Sequence, residues 1–334
     1  MARLAGVHPS TVSRALHRAD LPLRAETRIK VLAAVERLEY RPSAIARGLR
    51  LQRTRTLGML VPDITNPFFP PIIRGAEEAA RERGYELVLC NTDDSPERET
   101  ASLRLLRERQ ADGLLMATSR MADATLAAVR RDRFPFVLVN RGSRVAADLS
   151  VEVDNERAAA SIIAHLADLG HRRIAHIAGP LSTTTGAERA AGYRAAMKSR
   201  GLVTDESLIA MADAYAEPSG YAAALRILRA SPTAIFAAND LLILGALRAV
   251  REAGLRVPQD ISLVGVNDIP LAGLIDPPLT TVRVPQREMG EIAARMLVAV
   301  LENEPVARRH VLLDTALIVR GSTAAPARAA RSVA

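Results

Sequence analysis

Cysteine is nearly absent from this chain of 334 residues, which contains only Cys90. A single thiol excludes an intramolecular disulfide and a zinc cluster built on cysteines, and it suits a reducing cytoplasm. Long apolar runs are absent too, since runs such as residues 241–247 fall far short of the ~20 residues that a membrane helix needs. The first 30 residues carry charges in place of an apolar signal segment. We therefore expect a cytoplasmic protein without a membrane span.

The motifs that mark common catalytic sites are also missing. The sequence has no G-x-G-x-x-G, no G-K-[ST] phosphate loop, no G-x-S-x-G and no H-E-x-x-H. Its six histidines show no metal spacing with acidic partners, and we interpret His171 and His176 as structural. The sequence predicts neither an enzyme nor a cofactor or metal site. An α/β enzyme with a basic module is the alternative, which turnover of sugars or sugar phosphates would reveal.

Positive charge is concentrated at one end of the chain. Residues 1–55 hold twelve Lys and Arg against four Asp and Glu, and this net charge of +8 equals that of the whole chain. A chain of this length has room for two or three domains, because a single core rarely exceeds about 250 residues. A small basic head on a neutral body is typical of a polyanion-binding unit, although a solvated basic surface is the alternative.

The start of the basic head has the spacing of a helix-turn-helix. Gly6 can supply a left-handed turn, and the second helix then opens at Pro9 or Ser10, since proline is tolerated in a first turn. The apolar underside consists of Val7, Val12 and Leu16. In a major groove Arg14 is the best candidate for bidentate guanine readout. The candidate DNA contacts of this helix are Pro9, Ser10, Thr11, Ser13 and Arg14.

A third helix is predicted over about residues 25–38. Ile29, Leu32, Val35 and Leu38 recur at helical spacing and are expected to form its buried face. This helix would close a three-helix unit. An ordinary helical hairpin is the alternative, but the turn glycine, the apolar pattern and the charge all favour a DNA-binding head.

From residue 56 onward, short apolar runs alternate with amphipathic stretches, as in βαβ units with parallel sheets. The predicted strands cover residues 56–61, 86–90, 113–117, 136–139, 174–178, 235–237 and 262–266, with helices over 70–83 and 96–109. So many strands favour two lobes over a single sheet.

Polar residues follow most of these apolar runs directly. Ligands of open α/β sheets bind beyond the carboxyl ends of the strands, so these residues are candidates for a binding site. They are Asp63, Asn66, Asn140, Arg141, Arg189, Asn239, Asp240, Asn267 and Asp268. Amides, carboxylates and guanidinium groups together suit a polyhydroxylated ligand. Several of them could instead cap helices, an alternative that is strongest for Asn239 and Asp240.

Aromatic residues are scarce, with five Phe, five Tyr and no Trp, yet Phe68 and Phe69 are adjacent after the first predicted strand. Flat rings can cover the C–H faces of a sugar. Core packing is the alternative, because adjacent phenylalanines more often lie in a core.

Segments of both head and body resemble the lac/gal repressor family of bacterial regulators. The head segments are ARLAGVHPSTVSRAL and YRPSAIARGLR, and the body segments include VPDITNPFF, LGHRRIAHIAGP, AANDLLILGALRA and VPQDISLVGVNDIP. The resemblance covers about residues 1–322. It implies an N-terminal all-α helix-turn-helix head, joined by a hinge helix to an α/β periplasmic-binding-protein-like body of two doubly wound lobes.

The expected domains follow from this resemblance. They are residues 1–41 for the head, 42–55 for the hinge helix and linker, 56–322 for the effector-binding and dimerisation body, and 323–334 for a flexible tail. Within the body, lobe 1 is expected over about 56–154 and 285–313, and lobe 2 over about 155–284 and 314–322. The hinge is too short to be helical alone, so we expect it to order on DNA. The resemblance implies that Leu49 wedges into the minor groove and that Ala44, Ala46 and Arg47 line it.

The resemblance also implies an effector cleft. Its expected lining is Asn66, Phe68, Phe69, Asn140, Arg141, Arg189, Tyr215, Asn239 and Asn267, to which the strand-end pattern adds Asp63. Asn140 and Asn267 stand where the family commonly has Asp, and Val284 stands where many members have Gln. We therefore expect a less acidic and slightly more apolar cleft, for a sugar, a sugar derivative or another small molecule.

We expect a ligand-responsive, sequence-specific transcriptional regulator, a repressor, that binds operator DNA as a homodimer and takes a sugar-like effector between its lobes. The tail has no leucine heptads, so a tail-mediated tetramer is not expected. Family members usually carry one more turn before the residue matching Ala2, so the true start is expected upstream of Met1. Arg24 also replaces a usual capping Ser. The alternative function is a cytoplasmic sugar-binding protein whose head is too short to bind DNA.

Overall fold

The computed structural model describes residues 2–17, 23–38, 53–118, 120, 124–143 and 145–327. It divides into two compact units, residues 1–54 and residues 55–334. The first unit contains helices α1 (Ala2–Ala5), α2 (Pro9–His17) and α3 (Ala25–Arg37). Gly6 has a φ of +63°, so it provides the predicted left-handed turn between α1 and α2. The core of this unit consists of Ala5, Val12, Ala15, Val31 and Ala34.

The predicted buried face of α3 is wrong at Ile29, Leu32 and Leu38, whereas Val35 is partly buried and packs against the core of this unit. Val31 and Ala34 are buried, whereas Ile29, Leu32 and Leu38 are exposed by 67%, 50% and 51%. A helix turns by about 100° per residue, so a strict three-residue spacing drifts by about 60° at each step. The series that starts at Ile29 therefore moves around the helix. Ile29 itself lies about 160° from Val31 around the axis.

The first lobe of the second unit is built on a six-stranded parallel sheet in the order β2-β1-β3-β4-β5-β11. Its strands are β1 (Thr56–Val61), β2 (Glu86–Asn91), β3 (Gly113–Met116), β4 (Phe136–Val139), β5 (Ser150–Val153) and β11 (His310–Leu313). Its helices are α4 (Phe69–Glu82), α5 (Pro96–Glu108), α6 (Ala124–Arg131) and α11 (Gln286–Leu301).

The second lobe repeats this plan with a sheet in the order β7-β6-β8-β9-β10-β12, in which only β12 is antiparallel to its neighbour. Its strands are β6 (Ile174–Ala178), β7 (Ile209–Met211), β8 (Ala234–Ala237), β9 (Ser262–Asn267), β10 (Thr280–Arg283) and β12 (Ala316–Ile318). Its helices are α7 (Asn155–Asp168), α8 (Thr184–Ser199), α9 (Glu217–Ile227) and α10 (Asp240–Glu252). The chain thus crosses between the sheets after β5, after β10 and after β11.

Four of the helices that follow strands begin at side-chain caps. Each cap accepts a hydrogen bond from the backbone N–H three residues later, which satisfies one of the free donors of a first turn. The caps are Ser95 for α5, Asp154 for α7, Thr183 for α8 and Asn239 for α10. These caps fix where each of the four helices begins, near the strand end at which a ligand meets an α/β sheet.

Helices α4 and α11 cross closely because glycine lies at their contact. A Cβ on Gly75 would lie 2.1 Å from the backbone oxygen of Arg287, and one on Gly290 would lie 2.0 Å from that of Ile72. Only glycine fits at either position. This contact holds α11 against the first lobe, although α11 follows β10 of the second lobe along the chain.

All seven predicted strands are present, which confirms the expected fold class. Five further strands were not predicted: β5, β7, β10, β11 and β12. They are only three or four residues long, and β11 and β12 contain exposed residues, so none forms a distinct apolar run.

A flexible tail was predicted over residues 323–334, but its first two residues, Thr323 and Ala324, are held by hydrogen bonds. The Thr323 hydroxyl bonds to His165 Nε2 at 3.0 Å, and the Ala324 backbone N–H donates to Ser262 Oγ at 3.1 Å. These bonds dock the segment on the second lobe. Residues 328–334 lie outside the described residues. In the described part of the chain, no helix has the length and apolarity needed to span a membrane.

Candidate functional site

A cavity of about 420 Å³ lies between the two lobes, at the carboxyl ends of their strands. The ten residues expected to line an effector cleft all line it: Asp63, Asn66, Phe68, Phe69, Asn140, Arg141, Arg189, Tyr215, Asn239 and Asn267. Neither the polar residues at strand ends nor the family resemblance had pointed to the other lining residues. They are Pro62, Thr65, Asp93, Asp94, Thr185, Ala214 and Ala216. The volume lies within the range of small-molecule sites.

The loop after β1 forms the aromatic part of the wall. Asn66 Oδ1 accepts a hydrogen bond from the Phe68 backbone N–H at 3.0 Å, which fixes the loop. The rings of Phe68 and Phe69 meet edge to face, with centroids 5.2 Å apart. Both rings are 3% exposed and belong to the main core, yet both line the cavity. The pair therefore packs in the core, as the alternative had it, and also forms part of the cavity wall.

An ion pair in the first lobe joins Asp94, which follows β2, to Arg141, which follows β4. Buried Arg141 donates from Nη1 to Asp94 Oδ1 at 2.8 Å and also contacts the Thr118 backbone oxygen. Asp93, Asp94 and Asn140 all adopt left-handed φ values, between 50° and 65°. Aspartate and asparagine tolerate this region better than other side chains. The sequence analysis did not select Asp93 and Asp94. Two adjacent carboxylates shortly after a predicted strand could have identified them as candidates for the site.

Arg189 reaches the cavity from within α8, in the second lobe. Its Nε donates to Asn155 Oδ1 at 2.8 Å, and its Nη1 donates to the Ala238 backbone oxygen at 2.6 Å. Burial lowers the pKa of its guanidinium, because the low-dielectric surroundings disfavour the charge. Arg189 is 3% exposed and does not cap a helix, so the capping alternative does not apply to it.

Asn239 and Asn267 end two neighbouring strands of the second lobe. Asn239 Oδ1 accepts from the Leu242 backbone N–H at 2.9 Å, so this side chain caps α10 and lines the cavity at once. Asn267 has a left-handed φ of 122°, and its Oδ1 is buried without a hydrogen-bond partner among the described residues. Asn140 Oδ1, across the cavity in the first lobe, is likewise buried without a partner there.

Asp240 and Asp268 do not line the cavity. Asp240 is buried, accepting from Thr281 Oγ1 at 2.6 Å and from the Ile269 backbone N–H at 3.0 Å, and burial raises its pKa to about 7. Asp268 instead forms ion pairs with Arg283 and Arg320. Both carboxylates hold the turn after β9 in place, so their effect on Asn267 is indirect.

Tyr215 covers the cavity from the loop after β7. Its hydroxyl shares a hydrogen bond with Thr185 Oγ1 at 3.1 Å. Gly179 leaves room for the ring, since a Cβ there would lie 2.5 Å from it. Val284 is buried and does not line the cavity, so it adds no apolar surface to the lining.

The two strand-start histidines are structural, as predicted. His171 bonds to Thr233, Ser262 and the Ala324 backbone oxygen. His176 is stacked on Tyr193 and Phe236, and burial lowers its pKa to about 4, so it is neutral near pH 7.

In the N-terminal unit, α2 presents most of the predicted DNA contacts on its surface. Pro9, Ser10 and Arg14 are exposed and Thr11 is partly exposed, whereas Val12 and Ala15 pack into the core. The side chain of Ser13 and the whole of Ala44, Arg47 and Leu49 lie outside the described residues. Arg24 makes no side-chain hydrogen bond at the start of α3, as expected from the loss of a capping Ser.

Comparison with known proteins gives matches along nearly the whole chain. Residues 1–43 match the model of bacterial regulatory proteins of the lacI family, and residues 163–323 match a periplasmic binding protein-like domain. The ribose operon repressor of Escherichia coli (strain K12) is 37% identical over 337 residues, covering 96% of this chain and 98% of the relative. The chain belongs to the lacI family.

Solved structures of lacI-family regulators agree with this assignment. A complex of the transcriptional regulator CelR with cellobiose superposes with a TM-score of 0.76 at 34% identity, covering 96% of this chain and 98% of that one. The lac repressor dimer bound to operator and the anti-inducer ONPF has a TM-score of 0.85 at 27% identity, covering 97% and 98%. The lacI-family chain is a DNA-binding transcriptional regulator, which confirms the main prediction over a sugar-binding protein without DNA binding.

Proposed function

We propose that this chain represses transcription as a homodimer on operator DNA, and that a small sugar-like effector in the cavity changes its affinity for that DNA. The observation that carries this proposal is the cavity itself, since ten side chains from two lobes converge on it. Relatives support the effector class, because one is named for the ribose operon and a similar structure holds cellobiose. We propose further that the protein is cytoplasmic and has no catalytic activity.

We assign the two ligands to separate parts of the chain. Operator DNA would contact the N-terminal part of α2, with Arg14 on a guanine, Ser13 on phosphate and Pro9, Ser10 and Thr11 at base edges. The segment of residues 42–55 would order on DNA, with Leu49 in the minor groove beside Ala44 and Arg47. The head would then span residues 1–41, and the body, residues 56–322, would bind the effector and the second copy.

The arrangement of the cavity suggests how an effector acts. Two separate sheets supply its walls, and the lobes meet there through few polar contacts, such as the Gly142 N–H donating to Thr184 Oγ1 at 3.0 Å. A ligand that bonds to both walls would favour one relative angle of the lobes. By linkage, DNA and effector then change each other's affinity by the same factor, typically 5- to 150-fold.

Fluorescence anisotropy tests this function on the full chain. Labelled DNA from the region upstream of its own gene is titrated against scrambled DNA at two salt concentrations. We expect preference for the native DNA and an affinity that falls steeply with salt, since phosphate contacts release counterions. D-Ribose and cellobiose are then added at saturating DNA. Equal weak binding to both DNAs, or binding that no bound ligand changes, would contradict the proposal.

A further inference from the structure

Arg55, the last residue of the predicted linker segment (residues 42–55), is held in an unusual backbone conformation. Its φ is +55°, in the left-handed region that side chains other than Asn and Asp seldom adopt. Its backbone N–H donates to Asp112 Oδ2 at 2.8 Å, and its carbonyl oxygen accepts from the Glu86 N–H at 2.9 Å. A strained conformation persists only where the surroundings hold it. The linker therefore ends at a fixed point of the first lobe.

The side chain of Arg55 adds a second attachment. Its Nη1 donates to the Arg83 carbonyl oxygen at 3.1 Å, and its guanidinium carbon lies 5.7 Å from the centre of the Tyr85 ring. Gly84 leaves room for the guanidinium, since a Cβ there would lie 2.9 Å from Arg55 Nη1. Tyr85 is buried in the main core. Arg55 is thus attached both to Asp112 and to the turn between α4 and β2.

These contacts lie at the edge of the sheet opposite to the cavity. Arg55 directly precedes β1 and Asp112 directly precedes β3, so both lie at the amino ends of neighbouring parallel strands. The Asp112 backbone N–H donates to the Thr56 carbonyl oxygen at 2.8 Å. The cavity lies beyond the carboxyl ends of the same strands, roughly 20 Å away along β1. A change in these contacts would act on the linker and leave the cavity lining in place.

We propose that Arg55 and Asp112 form an anchor that positions the linker on the first lobe, and that operator affinity depends on this anchor. The inference rests on the proposed function, because it concerns the connection between the DNA-binding head and the body. Without the anchor, the end of the linker gains conformational freedom that DNA binding must remove. Fixing the backbone of one residue lowers an equilibrium constant by about 5- to 30-fold. A looser linker also lowers the effective concentration of the second head of a dimer at its half-site.

A phosphate contact is the alternative role for Arg55, because its side chain is exposed and belongs to the basic part of the chain. The two roles predict opposite effects of replacing Asp112 with Ala. If Arg55 binds phosphate, the loss of a nearby negative charge strengthens DNA binding. If Asp112 holds the linker, the same substitution weakens DNA binding, although it removes no basic residue.

Fluorescence anisotropy of the full chain with DNA from upstream of its gene distinguishes the two roles. We expect D112A to lower the affinity by about 5- to 30-fold, the factor for one residue released. D112N should restore binding, because its side-chain oxygen can still accept from the Arg55 N–H. R55G should bind more tightly than R55A, since glycine adopts a left-handed φ without strain.

Arg107 offers a matched control on the same lobe. It pairs with Asp132, and its guanidinium carbon lies 5.4 Å from the centre of the Phe134 ring, so it makes contacts of the same kinds away from the linker. R107A should bind DNA as the wild-type chain does. Circular dichroism reports whether each variant is folded.

Trypsin digestion tests the anchor without DNA. Cleavage after Arg55 requires its backbone to leave the hydrogen bonds with Asp112 and Glu86, so it reports the local opening of the anchor. We expect the wild-type chain and D112N to release the fragment that begins at Thr56 slowly. D112A should release it about 10-fold faster, which corresponds to the loss of one hydrogen bond to a charged group. Mass spectrometry identifies the fragment.

Three results would overturn the inference: equal release of the fragment from wild type and D112A, DNA binding by D112A as tight as that of wild type or tighter, or an equal loss of DNA binding in R107A. If D112A fails to fold, the comparison of R55G with R55A decides, and equal affinities would contradict the anchor. A wild-type chain without preference for its upstream DNA would contradict the proposed function instead, and the digestion would then judge the anchor by itself.

Discussion

The guanidinium carbon of Arg141, in the first lobe, lies 6.0 Å from the centre of the Tyr215 ring, in the second lobe. Each partner is held by its own lobe, Arg141 by Asp94 and Tyr215 by Thr185. The contact between Arg141 and Tyr215 therefore links the two lobes across the cavity. Since the attraction depends on the two lobes being close, it favours the arrangement that encloses a ligand.

Replacing Tyr215 with Leu removes this contact and the ring that covers the cavity. A cation–π contact contributes about 0.5–2 kcal/mol, so we expect effector affinity to fall by about 2- to 30-fold. Titration calorimetry with whichever of D-ribose and cellobiose binds the wild-type chain measures the change. Tyr221→Leu is the control, because it removes a similar contact with Arg248 outside the cavity. An equal loss in both variants would show that the effect is not local.

Asp240→Asn tests the buried carboxylate beneath the turn after β9. Its pKa is raised from 3.8 to about 7, so the folded chain holds this proton more tightly than the unfolded chain does. The stabilising contribution is fully present below about pH 4 and is lost as the pH rises towards 7. Asn keeps both hydrogen bonds, since its oxygen can accept from Ile269 and its amide can donate to Thr281.

We therefore expect the stability of the Asn variant, relative to wild type, to increase by about 3 kcal/mol between pH 5 and pH 8. Urea denaturation followed by circular dichroism at the two pH values measures this difference. Comparison of the two chains cancels the titration of other groups, such as His176. A difference that is the same at both pH values would show that Asp240 stays ionised in the folded chain.

Gly75→Ala tests the close crossing of α4 and α11. The new Cβ would lie 2.1 Å from a backbone oxygen, which cannot rotate away as a side chain can. The helices must separate, so we expect a loss of about 1–3 kcal/mol in the free energy of unfolding. Gly273→Ala is the control, since no atom lies within 4 Å of its added Cβ, and a change below about 0.5 kcal/mol is expected. Equal denaturation midpoints would count against tight packing at Gly75.

Arg14→Ala tests the proposed base readout by α2. Loss of a bidentate guanine contact should lower the discrimination between native and scrambled DNA by about 1–3 kcal/mol, without changing effector affinity. Anisotropy with the two DNAs provides the measurement. Lys30→Ala is the control, because Lys30 is exposed on α3 and pairs with Glu26. If Arg14→Ala binds both DNAs as selectively as wild type does, Arg14 does not read a base.

The sequence alone determined the fold class and much of the cavity lining. Parallel strands with strong apolar runs, such as β1 and β9, are recognisable locally, and the residues directly after them meet at one edge of a sheet. This rule identified Asn140 and Asn267, and the family resemblance added Tyr215, which lies in a loop without a periodic pattern. The helical period alone was not sufficient at α3, where the buried face depends on which neighbours are present.

Only the tertiary structure decided which polar groups are satisfied. Asp240 and Asn239 are adjacent in sequence, yet Asn239 faces the cavity and Asp240 binds Thr281 and Ile269 beneath it. The pairing of Arg141 with Asp94, 47 residues away, was not visible in the sequence. Nor was the lack of an ion-pair partner for Arg189 among the described residues. Hydrogen bonds and ion pairs act over a few ångströms, so they depend on contacts between distant segments that local patterns do not specify.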